Sequence, residues 1–148
     1  MARILIVAHA PLASALLQVA QHVFPDCGSE LAAVDVLPGA GIEEVQASVR
    51  LALAEQPTQE VLILVDVFGA TPCNAALAAA DGMRSRVVAG VNVPMLWRTL
   101  CYQANPLDDL VNRAVAGATQ GVMHVSVPKR QHQTATTTHD QVQYHHQQ

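Results

Sequence analysis

Two short runs of branched apolar residues, 3–7 (RILIV) and 61–65 (VLILV), constrain this chain most. Neither alternates apolar with polar, so neither suits a strand with one wet face. Both read as parallel strands buried on both sides. Each run also stops at a titratable residue, His9 after the first and Asp66 after the second. In an open parallel α/β sheet, ligands bind in the crevice beyond the carboxyl ends of the strands. Two strands that deliver a His and an Asp to that crevice are the start of a site.

The rest of the chain alternates in kind. A helix is expected over 12–22, where Leu12, Leu16, Val19 and Val23 share one face, with Pro11 in its first turn. A second strand follows at 31–36 and, after the turn Pro38-Gly39-Ala40-Gly41, a second helix at 42–55. The strand at 61–65 leads through a loop to an Ala- and Leu-rich helix at 73–81. A fourth strand at 86–89, helices at 95–102 and 107–116, and an alternating late strand at 121–127 (GVMHVSV) complete the pattern. This order predicts a doubly wound parallel α/β sheet of four strands in the order 2-1-3-4, with helices on both faces. The first and third strands then lie side by side where the strand order reverses, and His9 and Asp66 meet there.

Residues 1–128 are read as one domain. From 129 to 148 the sequence turns to Gln, Thr and His with little to bury, and a polar, disordered tail is expected. The eight Lys and Arg are scattered and the formal net charge is -4, which argues against a nucleic-acid-binding surface. Three Cys without close spacing form neither a disulfide framework nor a metal motif, and they suit a reducing cytoplasm. His9 and Pro11 interrupt the apolar N-terminus. No stretch reaches the roughly 18 apolar residues of a membrane span. No membrane insertion is expected.

A neutral imidazole whose one nitrogen gives its proton to a carboxylate can attack an electrophile with the other. Helices that begin just after His9 and near Pro72 would aim free backbone N–H groups and positive dipole ends at the same corner, which suits a phosphoryl dianion. Thr71 offers a hydroxyl, Gly69 lets the backbone come close, and Ser14 is a further candidate ligand. Pro11, Phe68 and Met95 are candidates for a partly apolar rim on which a partner protein docks. Asn92 either lies on that rim or organises the turn before Pro94. An activated phosphoryl group transferred in line to His9 needs neither metal nor cofactor.

The segments VAHAPLASALL, VLILVDVFGATPCNAA and AGVNVPML resemble, in order and spacing, the mannose-type enzyme IIA domain of the bacterial phosphoenolpyruvate-dependent sugar phosphotransferase system, over roughly residues 3–127. The resemblance implies that His9 accepts a phosphoryl group from the phosphocarrier protein HPr and passes it to an enzyme IIB partner. Asp66 then orients and stabilises the ring, and Thr71 is the hydroxyl residue of the loop. It also implies a homodimer, formed in some members by exchange of a C-terminal strand, here 121–127. Ala10 stands where the family usually has glycine, Gly69-Ala70 replaces a double glycine, and Phe68 and Cys73 also depart from the common residues.

A regulatory member of the same family would be phosphorylated at the same His9 but would act on a regulated protein, without transport. A receiver-like domain phosphorylated on Asp66 needs an acidic pair after the first strand, where this chain has Ala8-His9-Ala10. A histidine phosphatase would surround its histidine with arginines, and none is adjacent here.

Overall fold

The computed structural model describes residues 1–130. The tail expected from 129 therefore lies, from 131 onward, outside the described residues. Four strands, β1 (Arg3–His9), β2 (Leu31–Val36), β3 (Val61–Val65) and β4 (Ser85–Ala89), form one parallel sheet in the order β2-β1-β3-β4. Five α-helices connect and cover them: α1 (Leu12–Val23), α2 (Ile42–Ala54), α3 (Thr71–Ala79), α4 (Val93–Cys101) and α5 (Leu107–Gln120). A short 3-10 turn, Pro25–Cys27, separates α1 from β2.

The period of two in a strand sorts β1 into two cores. Ile4, Ile6 and Ala8 pack with Leu62 and Leu64 under α1, α4 and α5. Leu5 and Val7 pack with Ile63 and Val65 under α2 and α3. Side chains of Ile4, Leu5, Ile6, Leu62, Ile63 and Leu64 are almost wholly out of water. At about 1.5–3 kcal/mol for each large apolar side chain buried, these two central strands are the most strongly held part of the fold. Whatever is attached to their carboxyl ends inherits that rigidity.

Three boundaries differ from the sequence reading in ways that matter. β1 runs on to His9, because His9 still pairs with Val36 of β2. α3 starts at Thr71, two residues earlier than expected, because Pro72 fits a first helical turn, where its missing N–H is no loss. Pro11 sits just outside α1 as its N-cap rather than within the first turn.

The late strand at 121–127 does not form within the single chain: those residues pair with no strand. Val122, Met123, Val125 and Val127 are exposed. A strand requires a neighbouring edge for its N–H and C=O groups, and this segment meets none in its own chain.

Candidate functional site

β1 and β3 stay in register from Arg3↔Val61 to Val7↔Val65, and then the ladder ends. The Val65 carbonyl turns to β4's loop and accepts from the N–H groups of Gly90 and Val91, both at 3.0 Å. Asp66 supplies the missing rung. Its Oδ2 accepts the His9 backbone N–H at 2.9 Å and the ring Nδ1 at 2.6 Å, while Oδ1 accepts the Val67 N–H at 2.9 Å. On the other side, the Ala10 N–H donates to the Val36 carbonyl at 2.9 Å. The histidine is thus held from both neighbouring strands.

Because a carboxylate only accepts, Nδ1 carries a proton whichever state the ring is in, and in the neutral ring Nε2 is the nitrogen left with the lone pair. The His9 side chain is 54% exposed and that of Asp66 only 11%. Burial alone would raise the pKa of Asp66. The His9 backbone and ring donors, the Val67 N–H and the His9 charge outweigh it and hold the carboxyl below its ordinary value. The site therefore presents an oriented imidazole to solvent, backed by a carboxylate that stays ionised.

The loop from Asp66 to α3 is built for close approach. Gly69 has φ +85°, a conformation open to glycine and costly for other residues. Every other residue here is free of that demand: among the described residues, no non-glycine residue has positive φ. Ala10 and Ala70 therefore take the place of glycines without backbone strain. α3 starts without a side-chain cap, since its N-cap is Ala70. Thr71 and Cys73 contribute N–H groups to its first turn, and Pro72 has none. An uncapped helix start of this kind has N–H groups of the sort that suit an anion.

α1 is different. Its Ser14 N–H donates to Asp35 Oδ1 at 3.0 Å, and the Ser14 hydroxyl donates to the Pro11 carbonyl at 3.2 Å. Both Ser14 donors are thus engaged within the fold. Asp35 was missed by sequence reasoning. An acidic residue inside the strand LAAVDV was the signal.

The rim candidates divide. Pro11 is exposed, and Phe68 is 79% exposed. Leu37 and Val67, overlooked in the sequence, are also exposed on the segments flanking the histidine. Met95 corrects the expectation: it is 1% exposed and packs in the core with Leu96 and Leu110. The α4 turn points it inward, as the first apolar residue of a face buried on the sheet. Asn92 is a cap, its Oδ1 accepting from the Met95 N–H at 2.9 Å and its amide donating to the Ala118 carbonyl at 3.3 Å. It ties α4 to α5.

Sheet order and site together define a class: a doubly wound α/β domain that holds one exposed imidazole, by way of a carboxylate, at its topological switch point. The sequence model of the family described as PTS system fructose IIA component matches residues 3–115, and the chain belongs to that enzyme IIA family of the phosphotransferase system. The fructose-specific EIIA component of Bacillus subtilis is 36% identical over 123 residues, covering 81% of this chain and 84% of that protein. The mannose-specific EIIAB component of Escherichia coli K12 is 38% identical over 93 residues, or 60% of this chain. This chain spans only 29% of that longer relative. Among solved structures, the mannose/sorbose-specific IIA subunit from Enterococcus faecalis superposes with a TM-score of 0.80 at 25% identity, over 86% of this chain and 97% of that one. The EIIA component from Streptococcus agalactiae has the same fold, with a TM-score of 0.74 at 22% identity, over 84% of this chain and 97% of its own. Among the described residues, no helix is long and apolar enough to cross a membrane.

Proposed function

We propose that this protein is a cytoplasmic phosphocarrier of sugar uptake that takes a phosphoryl group from HPr on Nε2 of His9 and gives it to an enzyme IIB partner. The observation that carries this reading is the 2.6 Å bond between His9 Nδ1 and Asp66 Oδ2 behind a half-exposed ring. In the accepting step the lone pair of Nε2 attacks phosphorus in line, and the bond from phosphorus to the donor's ring nitrogen breaks, its electron pair staying with the donor. Asp66 keeps the Nδ1 proton in place and offsets the positive charge that the ring gains. The Thr71 hydroxyl and the free N–H groups at the start of α3 receive the phosphoryl oxygens, and Gly69 gives them room. Pro11 and Phe68, joined by Leu37 and Val67, form the rim a partner covers. Neither metal nor cofactor enters the step.

A homodimer belongs to the same reading. β4 leaves one outer edge of the sheet open, and 121–127 offers an unpaired apolar segment to the corresponding edge of a second copy. A regulatory role would use the same histidine and differ only in the protein that reads its state. Incubation with enzyme I, HPr and labelled phosphoenolpyruvate tests the carrier. Wild type takes up acid-labile, base-stable label and His9→Ala takes up none; equal labelling of both removes His9 from the reaction. Capture of partners by the phosphorylated and unphosphorylated forms separates an enzyme IIB acceptor from a regulated protein.

A further inference from the structure

We propose that Asp35 is a positioning residue that closes the α1 helix start to the phosphoryl group, keeping that group on the α3 side and holding the phosphohistidine at high transfer potential. The inference rests on the phosphocarrier reading above and adds a residue to it.

Two helix starts face the carboxyl end of the sheet beside His9, and only the α1 start meets a carboxylate from another strand. α3 has an alanine N-cap with no side-chain acceptor. α1 has no cap from its own chain segment either, yet its third N–H, that of Ser14, is taken by a carboxylate from another strand. That strand is β2, where Asp35 is the register partner of Ala8, one residue before the histidine. Its negative charge lies against the positive end of α1 and offsets it. The Ser14 hydroxyl, bound back to Pro11, closes the same turn. A dianion on Nε2 therefore finds open donors toward α3 and an opposing carboxylate toward α1. Repulsion from Asp35 raises the free energy of the phosphorylated state without touching the neutral ring, which is useful to a carrier that must give its phosphoryl group away. Replacing Asp66 would not isolate this effect, because its Oδ2 is bonded to the ring itself and the ring would change with the charge.

The test is Asp35→Asn, measured by the phosphoryl equilibrium with HPr. Asparagine keeps an oxygen that can accept the Ser14 N–H and removes only the charge. A unit charge one strand away from a dianion, screened at physiological salt, is worth about a threefold change. The equilibrium constant for phospho-HPr plus this protein going to HPr plus phosphoprotein is expected to rise about threefold, with only a small fall in melting temperature from the lost charge at the α1 start. Asp35→Ala, which also orphans the Ser14 N–H, is expected to show the same rise together with a lower melting temperature. An equilibrium constant in Asp35→Asn equal to that of wild type overturns the role of Asp35 and leaves the carrier intact. Wild type that takes no label from phospho-HPr overturns both.

Discussion

Replacing Asp66 by Asn is the sharpest test of the site, because the consequences can be followed donor by donor. The carboxylate accepts three hydrogen bonds, two at Oδ2 from His9 and one at Oδ1 from Val67. An amide has one oxygen to offer. With that oxygen toward Val67, the new NH2 group faces the His9 backbone N–H, donor against donor. The ring must then accept at Nδ1, which moves its proton to Nε2 and removes the attacking lone pair. With the amide reversed, the Val67 N–H is left facing a donor, and the ring loses its charged partner. Hydrogen bonds to charged groups are worth about 1.5–3 kcal/mol. Losing one, together with the carboxylate that offsets the ring's charge during attack, should raise the barrier by about 2–4 kcal/mol. That is roughly a 30- to 1,000-fold slower transfer. Rapid-quench measurement of label moving from phospho-HPr to the variant reads this directly, with thermal unfolding as a control for folding. Slowing of less than about threefold in a folded variant would mean that the carboxylate does not set the tautomer, and the proposed mechanism would fail.

Phe68→Ala should weaken transfer from HPr through a higher KM, by roughly three- to tenfold, while stability changes by less than about 0.5 kcal/mol, since the ring is 79% exposed. Steady-state kinetics and thermal melts check the two halves. Gly117→Ala would place a Cβ 2.7 Å from the Arg98 Cβ and 3.2 Å from the Pro94 carbonyl, where α5 crosses α4. Overpacking of this kind costs about 1–3 kcal/mol, readable by urea denaturation with labelling of His9 retained at low temperature. Acid should destabilise the protein through its shifted carboxylates. The N–H and hydroxyl of Ser85 and the N–H groups of Met83 and Arg84 hold Asp81 at about 2, and Asp66 is also lowered. Both folded values lie below the unfolded ones, so the stability they contribute is complete above about pH 5 and is lost as pH falls through the folded values. Asp81→Ala should therefore be less stable at pH 7 and lose less between pH 5 and pH 2; an acid slope unchanged from wild type refutes the assignment.

Strand order and the approach of His9 to Asp66 were legible in the sequence because both follow from strong signals. Unbroken apolar runs fix β1 and β3, and the rule for doubly wound sheets makes them neighbours. What escaped depended on where side chains turn. Met95 read as a rim residue from its place after Pro94, but only the packing of α4 shows that it faces the sheet. Asn92 and Ser14 carry atoms suited to a site, and the helix-start bonds they make depend on neighbours that the sequence does not place. Asp35 was invisible as a partner of α1 because the two are far apart in sequence and meet only through the pairing of β2 with β1. The segment 121–127 has the alternation of a strand, and alternation alone does not supply an edge to pair with.

One nitrogen of the histidine is locked inward and the other faces out, so the ring has a single door. A carrier built this way cannot be loaded and unloaded by two proteins at once; the supplier must leave before the receiver arrives. Tight binding to either would stall the traffic, so selection on the surrounding surface should favour brief encounters over lasting ones.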